Sequence, residues 1–153
     1  NNHADTGSDN VANTGSSEQS AQSRQNLGQQ AGGTNVVQQT GAVSHCHPLN
    51  CTALAVRGDG MRCNITPEGV LLLGEVPMIG YFTPGSQELV DAVAEYASSK
   101  AMLMARHGAL TQGRNLEEAY NRMEKLEFQA QLQLLVGDVD DLPADEIEKL
   151  SRM

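Results

Sequence analysis

A helical repeat in the second half of the sequence restricts the fold more than any other feature. Apolar residues recur there every three or four positions, the spacing that lines one face of an α-helix. Asn115 lies just before the start of this helix, and Glu118 follows it by three positions, a spacing similar to that of a capping box. Gly137 marks the end of the helix. A helix of this length is foreign to a small β-barrel. The apolar positions are Leu116, Ala119, Met123, Leu126, Ala130 and Leu134.

The sequence before this helix alternates between apolar runs of strand length and helical patterns, which is typical of a mixed α/β domain. One helix is predicted at 50–56, and the side chain of Asn50 is a good cap for it. A last helix, carrying Ile147 and Leu150, starts after Pro143. The predicted strands are 42–45, 70–73, 76–82 and 101–106, and the remaining predicted helix is 86–98.

The first 40 residues differ sharply in composition from the rest. They consist mainly of Asn, Gln, Ser, Thr and Gly, and such a stretch buries too little apolar surface to offset the entropy of ordering it. The sequence therefore predicts a low-complexity N-terminal segment at 1–40 and a folded domain at 41–153. The large aliphatic residues of the N-terminal segment are Val11, Leu27, Val36 and Val37.

Net charge, apolar run length and cysteine spacing argue against a nucleic-acid-binding protein, a membrane-spanning protein and a disulfide framework. A net charge of −9 with only ten Lys and Arg argues against nucleic-acid binding, which needs clustered cations against the phosphates. No apolar run approaches the roughly 20 residues that span a bilayer, and no signal segment opens the chain. The three cysteines form no CxxC pair, so we expect free thiols in a reducing compartment. The chain is expected to be a soluble cytoplasmic protein.

Three histidines carry the clearest chemical signal. His45 and His47 stand two positions apart at the end of a predicted strand, so their side chains point to the same face. His107 follows the apolar run 101–106, where a polar ring needs a partner or a ligand. Imidazole is a common zinc ligand, and catalytic zinc sites commonly combine three protein ligands with one open position. The three residues predict a divalent-metal site, and histidines without a ligand are the alternative.

Two further expectations concern side chains around these histidines and on the long helix. Cys46 lies between two predicted ligands and should point to the opposite face of the strand, into the core. The acidic residues of the long helix follow helical spacing on an exposed face, so the sequence assigns them no chemical role. These acidic residues are Glu117, Glu118, Glu124 and Glu127.

Several separate motifs resemble the class II aldolase and epimerase family, whose members include fuculose-1-phosphate aldolase, ribulose-5-phosphate 4-epimerase and adducin heads. The resemblance covers about residues 41–136, with the motifs in the order that the family has them. The motifs are 41–48 (Gly-Ala-Val-Ser-His-Cys-His-Pro), 50–56 (Asn-Cys-Thr-Ala-Leu-Ala-Val), 74–77 (Gly-Glu-Val-Pro), 84–89 (Pro-Gly-Ser-Gln-Glu-Leu), 102–110 (Met-Leu-Met-Ala-Arg-His-Gly-Ala-Leu) and 115–120 (Asn-Leu-Glu-Glu-Ala-Tyr).

The resemblance implies a three-layer α/β/α domain around a largely antiparallel central sheet. It also implies that His45, His47 and His107 hold Zn²⁺ or another divalent metal, which stabilises an enediolate of a small sugar phosphate. The gap between His47 and His107 is more similar to that of the aldolases than to the longer gap of the epimerases. A metal-dependent lyase of the aldolase type, acting on a ketose phosphate, is therefore the favoured function, in a homo-oligomer that is commonly a tetramer.

The resemblance leaves the exact activity and the proton-transferring group open. An epimerase, a dehydratase or a decarboxylase would use the same ion, and an adducin-like module would bind partners without catalysis. Adducin-like heads lack the metal histidines, which favours an enzyme. The family places a catalytic carboxylate in a Ser-Ser-Glu type segment, and Ser16-Ser17-Glu18 resembles that segment, although it lies further upstream of His45 than the family's pattern. Glu18 is therefore the candidate catalytic residue, with Glu68 and Glu75 as alternatives.

Overall fold

Residues 40–153, which the computed structural model describes, form one sheet with helices on both of its faces. Glu18 and the rest of the predicted N-terminal segment up to residue 39 lie outside the described residues. In chain order the elements are β1 (Ala42–Cys46), α1 (Leu49–Arg57), a π-helical segment (Gly69–Leu73), β2 (Met78–Ile79), α2 (Gln87–Glu95), β3 (Ala101–Met104), β4 (Gly108–Gly113), α3 (Leu116–Val136) and α4 (Ala144–Ser151).

The four strands of this sheet are ordered β1-β4-β3-β2. β4 is antiparallel to both of its neighbours, β1 and β3, whereas β2 is parallel to β3. The sheet is therefore mixed. Antiparallel pairings are in the majority, which agrees with the largely antiparallel sheet that the resemblance implied. Met104 at the end of β3 pairs with Gly108 at the start of β4, and His45 near the end of β1 pairs with Leu110 of β4. The turn between β3 and β4 therefore lies beside the end of β1.

The two faces of the sheet pack against different helices. Alternate residues of a strand point to opposite faces, and β3 is buried along its whole length, which explains its unbroken apolar sequence. Leu103 packs in a core cluster with residues of α1 and α3, and Met102 packs with Ile79 against α2. The layers are thus α2, the sheet, and α1 with α3, which confirms the three-layer α/β/α fold.

The long helix α3 forms where the sequence predicts it. The Asn115 side chain accepts a hydrogen bond from the backbone N–H of Glu118 at 2.8 Å, and the helix ends at Gly137. The carboxylate of Glu118 reaches back to the backbone N–H of Arg114 at 2.6 Å, one residue before the cap, rather than to the cap itself. The buried face of the helix carries Ala119, Met123, Leu126 and Ala130, four positions of the predicted repeat, whereas Leu116 in the first turn is exposed.

The strand prediction at 70–73 is wrong, because a local helix signal outweighs the apolar run. The hydroxyl of Thr66 accepts a hydrogen bond from the backbone N–H of Gly69 at 3.0 Å, and Pro67 follows it in a position that favours the first turn of a helix. The resulting turn is π-helical, with Gly74 N–H donating to the Gly69 carbonyl at 3.0 Å. Gly74 then leaves the helix with a φ of 65°, a conformation that suits glycine.

Two other parts of the sheet differ from the prediction. The strand predicted at 76–82 is reduced to Met78–Ile79. The sequence did not indicate β4, the strand between β1 and β3, because Thr111 and Gln112 interrupt its apolar character. Both polar residues are buried and bonded, Thr111 to the Ala119 carbonyl at 2.7 Å and Gln112 to the carbonyls of Ala97 and Ser99.

None of the helices in the described part of the chain combines the length and apolar character needed to cross a membrane. The cysteines Cys46, Cys51 and Cys63 are all unpaired, as predicted. Burial raises the pKa of the Cys63 thiol to about 12, so this group stays protonated at neutral pH. Cys46 is exposed, and the prediction that it packs in the core is wrong because β1 is an edge strand.

A buried glutamine connects α3 to the loop that follows α1. Gln129 is fully buried, and its amide donates to the Arg62 carbonyl at 2.9 Å. Its oxygen accepts a hydrogen bond from the hydroxyl of Thr66, also at 2.9 Å. This side chain therefore satisfies two polar groups that would otherwise lose water without gaining a partner.

Replacing Gln129 with leucine is expected to destabilise the protein although leucine is the more apolar residue. The Arg62 carbonyl and the Thr66 hydroxyl lose their partner, and a buried polar group left unsatisfied costs about 1–3 kcal/mol. Urea unfolding should show a fall of that size in the free energy of unfolding. Gln131→Leu, at an exposed position of the same helix, is the matched control and should change it by less than about 0.5 kcal/mol. A Gln129→Leu protein as stable as the parent would contradict this account.

Candidate metal centre

His45 is oriented by the neighbouring strand. It lies on β1, and its Nδ1 is 2.9 Å from the carbonyl oxygen of Ala109 on β4. Because a carbonyl accepts only, this nitrogen must carry the proton and donate. The other ring nitrogen, Nε2, is then the one with a free lone pair. A backbone carbonyl that fixes the ring and its tautomer in this way is a common outer partner of metal-binding histidines.

His107 is placed by the turn that joins β3 to β4. Its backbone N–H donates to the Met104 carbonyl, and the N–H of Arg106 donates to the Ala55 carbonyl of α1, each at 3.0 Å. Arg106 adopts a φ of 56°, which is uncommon for a residue with a side chain. The ring of His107 is half-buried, and its Nδ1 is buried without a hydrogen-bond partner among residues 40–153. A buried polar atom normally has a hydrogen-bond partner or a bound ligand, so this nitrogen is a candidate for ligand binding.

The three predicted ligands converge at one place. The ring centroids of His45, His47 and His107 are 4.9 to 5.0 Å apart in every pair. Nε2 of His45 and Nε2 of His47 are separated by 3.2 Å, close to the roughly 3.3 Å that two nitrogens have around a tetrahedral zinc ion. One nitrogen from each ring can be chosen so that all three lie within 4.8 Å of one another. These residues could hold one divalent metal.

The electrostatics at His107 favour the neutral form of the ring, which is the form that binds a metal. Burial lowers the pKa of His107, and the neighbouring His45 and His47 lower it further. His45 and His47 are exposed, so the centre opens towards solvent on one side. An ion held by three rings would thus keep a coordination position accessible to a small molecule.

No carboxylate joins the three histidines in the described part of the chain. The predicted catalytic Glu18 lies outside residues 40–153. Of its alternatives, Glu68 forms an ion pair with Lys125 of α3 at 3.3 Å, and Glu75 is exposed. Neither belongs to the cluster.

Gly108 is a residue of the candidate metal centre that the sequence did not indicate. This residue follows His107 at the start of β4, and a β-carbon there would lie 2.6 Å from the Cys46 carbonyl oxygen and 2.6 Å from Cδ2 of His47. Only glycine allows β1 and the His47 ring to come this close. A glycine inside a strand marks such a close approach, but the sequence did not indicate β4, so this signal was not available beforehand.

The beginning of α1 and one acidic residue of α3 also differ from the prediction. Asn50 does not cap α1, since the N-cap residue is Pro48, whose side chain accepts no hydrogen bond. Glu127, predicted to be a solvated surface residue, instead accepts hydrogen bonds from Asn50 and Cys51 in the first turn of α1. The side chain of a proline at the N-cap accepts no hydrogen bond, so the first backbone N–H groups of the helix need an acceptor from elsewhere in the chain. Pro48 was therefore the signal in the sequence for a distant acceptor such as Glu127.

Comparison with known proteins identifies the family. The sequence profile of the class II aldolase and adducin N-terminal domain family matches residues 35–134. The chain belongs to this family. A 3-oxo-tetronate 4-phosphate decarboxylase of Escherichia coli O6:H1 is 38% identical over 71% of the chain and 55% of the relative. An L-fuculose phosphate aldolase of Methanococcus maripaludis is 32% identical over 64% of the chain and 53% of the relative.

The solved structures show the same relationship. The crystal structure of an L-fuculose-1-phosphate aldolase from Thermus thermophilus matches with a TM-score of 0.56 and 32% identity, over 67% of this chain and 60% of the other. The chain spans about half the length of the two curated relatives, the decarboxylase and the Methanococcus maripaludis aldolase.

Proposed function

We propose that this member of the class II aldolase family is a metal-dependent lyase that breaks a carbon–carbon bond in a small phosphorylated keto sugar. The observation that carries the proposal is the convergence of His45, His47 and His107, with the buried Nδ1 of His107 lacking a partner among residues 40–153. The same convergence argues against a purely adducin-like interaction module. Zinc is the first candidate for the ion, because imidazole nitrogens suit it well.

The protein's own residues perform three tasks in this proposal. The three histidines hold and orient the ion, and the open side of the cluster admits the substrate's oxygen atoms. When bound, a divalent metal polarises a carbonyl and stabilises the negative charge that develops on oxygen as the bond breaks. Glu18 is proposed to transfer the proton, and positioned acid–base catalysis of this kind contributes about 10²–10⁴-fold.

Aldol cleavage of a ketose phosphate is the first candidate reaction, and decarboxylation of a 3-oxo sugar acid phosphate is the second. Similarity to aldolases supports the first, and the 38% identity to a 3-oxo-tetronate 4-phosphate decarboxylase supports the second. Both reactions leave an electron pair on carbon beside a carbonyl group. The same metal would stabilise this charge, so the substrate decides between an aldehyde and CO₂ as the second product.

The proposed function is tested by metal analysis followed by a substrate screen. The purified protein should contain one divalent ion per chain. Ketose 1-phosphates should release an aldehyde, or 3-oxo sugar acid phosphates should release CO₂, and a chelator should abolish the reaction. Glu18→Gln should keep the metal and lose about 10²–10⁴-fold in rate. A protein that neither binds metal nor turns over these substrates is not an enzyme of this kind.

The proposal extends to assembly and location. A homotetramer is proposed because sites in this family lie at subunit boundaries, and sedimentation should report several chains per particle. A cytoplasmic location is proposed on the three unpaired cysteines, which suit a reducing compartment. The proposed partners are a small sugar phosphate and further copies of the chain, with no role for nucleic acid or a membrane.

A further inference from the structure

The first turn of α1 begins directly after the metal-site residue His47. Pro48 is its N-cap, and its side chain accepts no hydrogen bond. The first backbone N–H groups of any helix have no partner within the helix. The Pro48 carbonyl accepts from Thr52 at 2.9 Å, so the N–H groups before Thr52 depend on acceptors from outside α1.

Glu127 of α3 is the acceptor for two of these groups. Its Oε1 accepts from the backbone N–H of Asn50 at 2.9 Å and from the Asn50 side-chain amide at 2.7 Å. Its Oε2 accepts from the backbone N–H of Cys51, also at 2.9 Å. Burial raises the pKa of Glu127, but these hydrogen bonds outweigh burial and hold its pKa below the usual range. The ionised carboxylate therefore lies at the positive end of the α1 dipole.

His47 depends on this first turn more than the other two ligands do. His45 is held by the Ala109 carbonyl, and His107 is held by its turn. Among residues 40–153, the His47 ring forms a hydrogen bond only with His45, which is itself a predicted ligand. His47 lies between Cys46, the last residue of β1, and Leu49, the first residue of α1. Its position is thus set by the backbone on either side and by the contact with Gly108.

We propose that Glu127 is a positioning residue of the metal centre, which holds the first turn of α1 and thereby places His47 against His45 and His107. The carboxylate fixes α1 to α3, and α3 packs on β4 and β1, the strands that carry the rest of the centre. This inference rests on the proposed metal-dependent function, but it concerns a residue outside the ligand set.

The test uses Co²⁺ as the probe, because its absorption spectrum reports the geometry of its ligands. Glu127→Gln keeps the size of the side chain but offers an N–H₂ group where an acceptor is needed. The variant should bind Co²⁺ about tenfold more weakly than the parent, the lower end of the range for a residue that hydrogen-bonds a ligand directly, because Glu127 acts on His47 only through α1, and the spectrum should be altered. Glu124→Gln is the matched control, since it removes the same charge from an exposed position three residues earlier in α3. It should keep the affinity and spectrum of the parent.

A second control separates positioning from general stability. Leu134→Ala removes a half-buried side chain that packs on the core near the end of α3, so it should lower the melting temperature without removing a hydrogen bond to the first turn of α1. Its Co²⁺ affinity, measured well below the melting transition, should equal that of the parent. If Glu127→Gln binds Co²⁺ like the parent, or if Leu134→Ala weakens binding as much, the positioning role is wrong while the metal centre stands. A parent protein that binds no Co²⁺ overturns the proposed function, and the positioning role with it.

Discussion

His107→Ala is expected to abolish stoichiometric metal binding and to lower turnover by about 10³-fold or more. The variant leaves two exposed rings, His45 and His47, and removes the predicted ligand whose Nδ1 is buried without a partner among residues 40–153. Loss of an outer partner already costs 10–100-fold in affinity, and loss of a ligand should cost more. A metal contributes several kcal/mol to stabilising charge in the transition state, and each 1.36 kcal/mol is tenfold in rate.

Stability with and without metal provides the decisive measurement for His107→Ala. A ligand that binds only the folded state at about 100 times its dissociation constant adds about 2.7 kcal/mol to the free energy of unfolding. The parent should show this gain on addition of Zn²⁺, and the variant should show none. Without metal, the variant should be about as stable as the parent, because the removed ring satisfies no partner outside the cluster in the described structure. An equal gain in both proteins would place the ion elsewhere.

Gly108→Ala is expected to damage both the fold and the metal centre. The added β-carbon would lie 2.6 Å from the Cys46 carbonyl oxygen and from Cδ2 of His47, distances that side chains essentially never adopt. The Cys46 atom belongs to the backbone of β1, so relief requires the two strands to separate. Overpacking of this kind costs about 1–3 kcal/mol, occasionally more. Metal affinity should fall as well, because the His47 ring moves with the strand.

The control for Gly108→Ala is the same substitution at Gly80. That glycine is exposed, and a β-carbon there would only meet the edge of Phe82 at 3.9 Å, an ordinary contact. Gly80→Ala should therefore leave the free energy of unfolding within about 0.5 kcal/mol of the parent and leave metal affinity unchanged. Equal behaviour of the two variants in urea unfolding and metal titration would show that the close approach at Gly108 is unimportant.

The features that the sequence predicted correctly are those with local causes. The helix α3 is evident because its apolar face, its Asn115 cap and its final Gly137 are all encoded within the same stretch of chain. β3 is evident because a strand buried on both faces is apolar throughout. The pair His45 and His47 could be placed on one face because side chains alternate along a strand. Family motifs added His107 to them.

Features that depend on partners distant in the sequence could not be predicted in this way. β4 contains Thr111 and Gln112, and these residues are tolerated in the sheet only because carbonyl groups of other elements satisfy them. The π-helical segment shows that an apolar run does not choose between strand and helix without its flanking residues.

The sequence by itself determined the residue types of the centre, the helix α3 and the α/β character of the domain, because periodicity and capping act over a few neighbouring residues. Only the tertiary structure decided that the three histidine rings lie about 5 Å apart, that Gly108 must lack a side chain, and that Glu127 caps α1. Each of these features depends on a contact between residues at least 60 positions apart in the chain, such as the contact of His47 with His107. Their distances follow from strand pairing and helix packing, which no local pattern encodes.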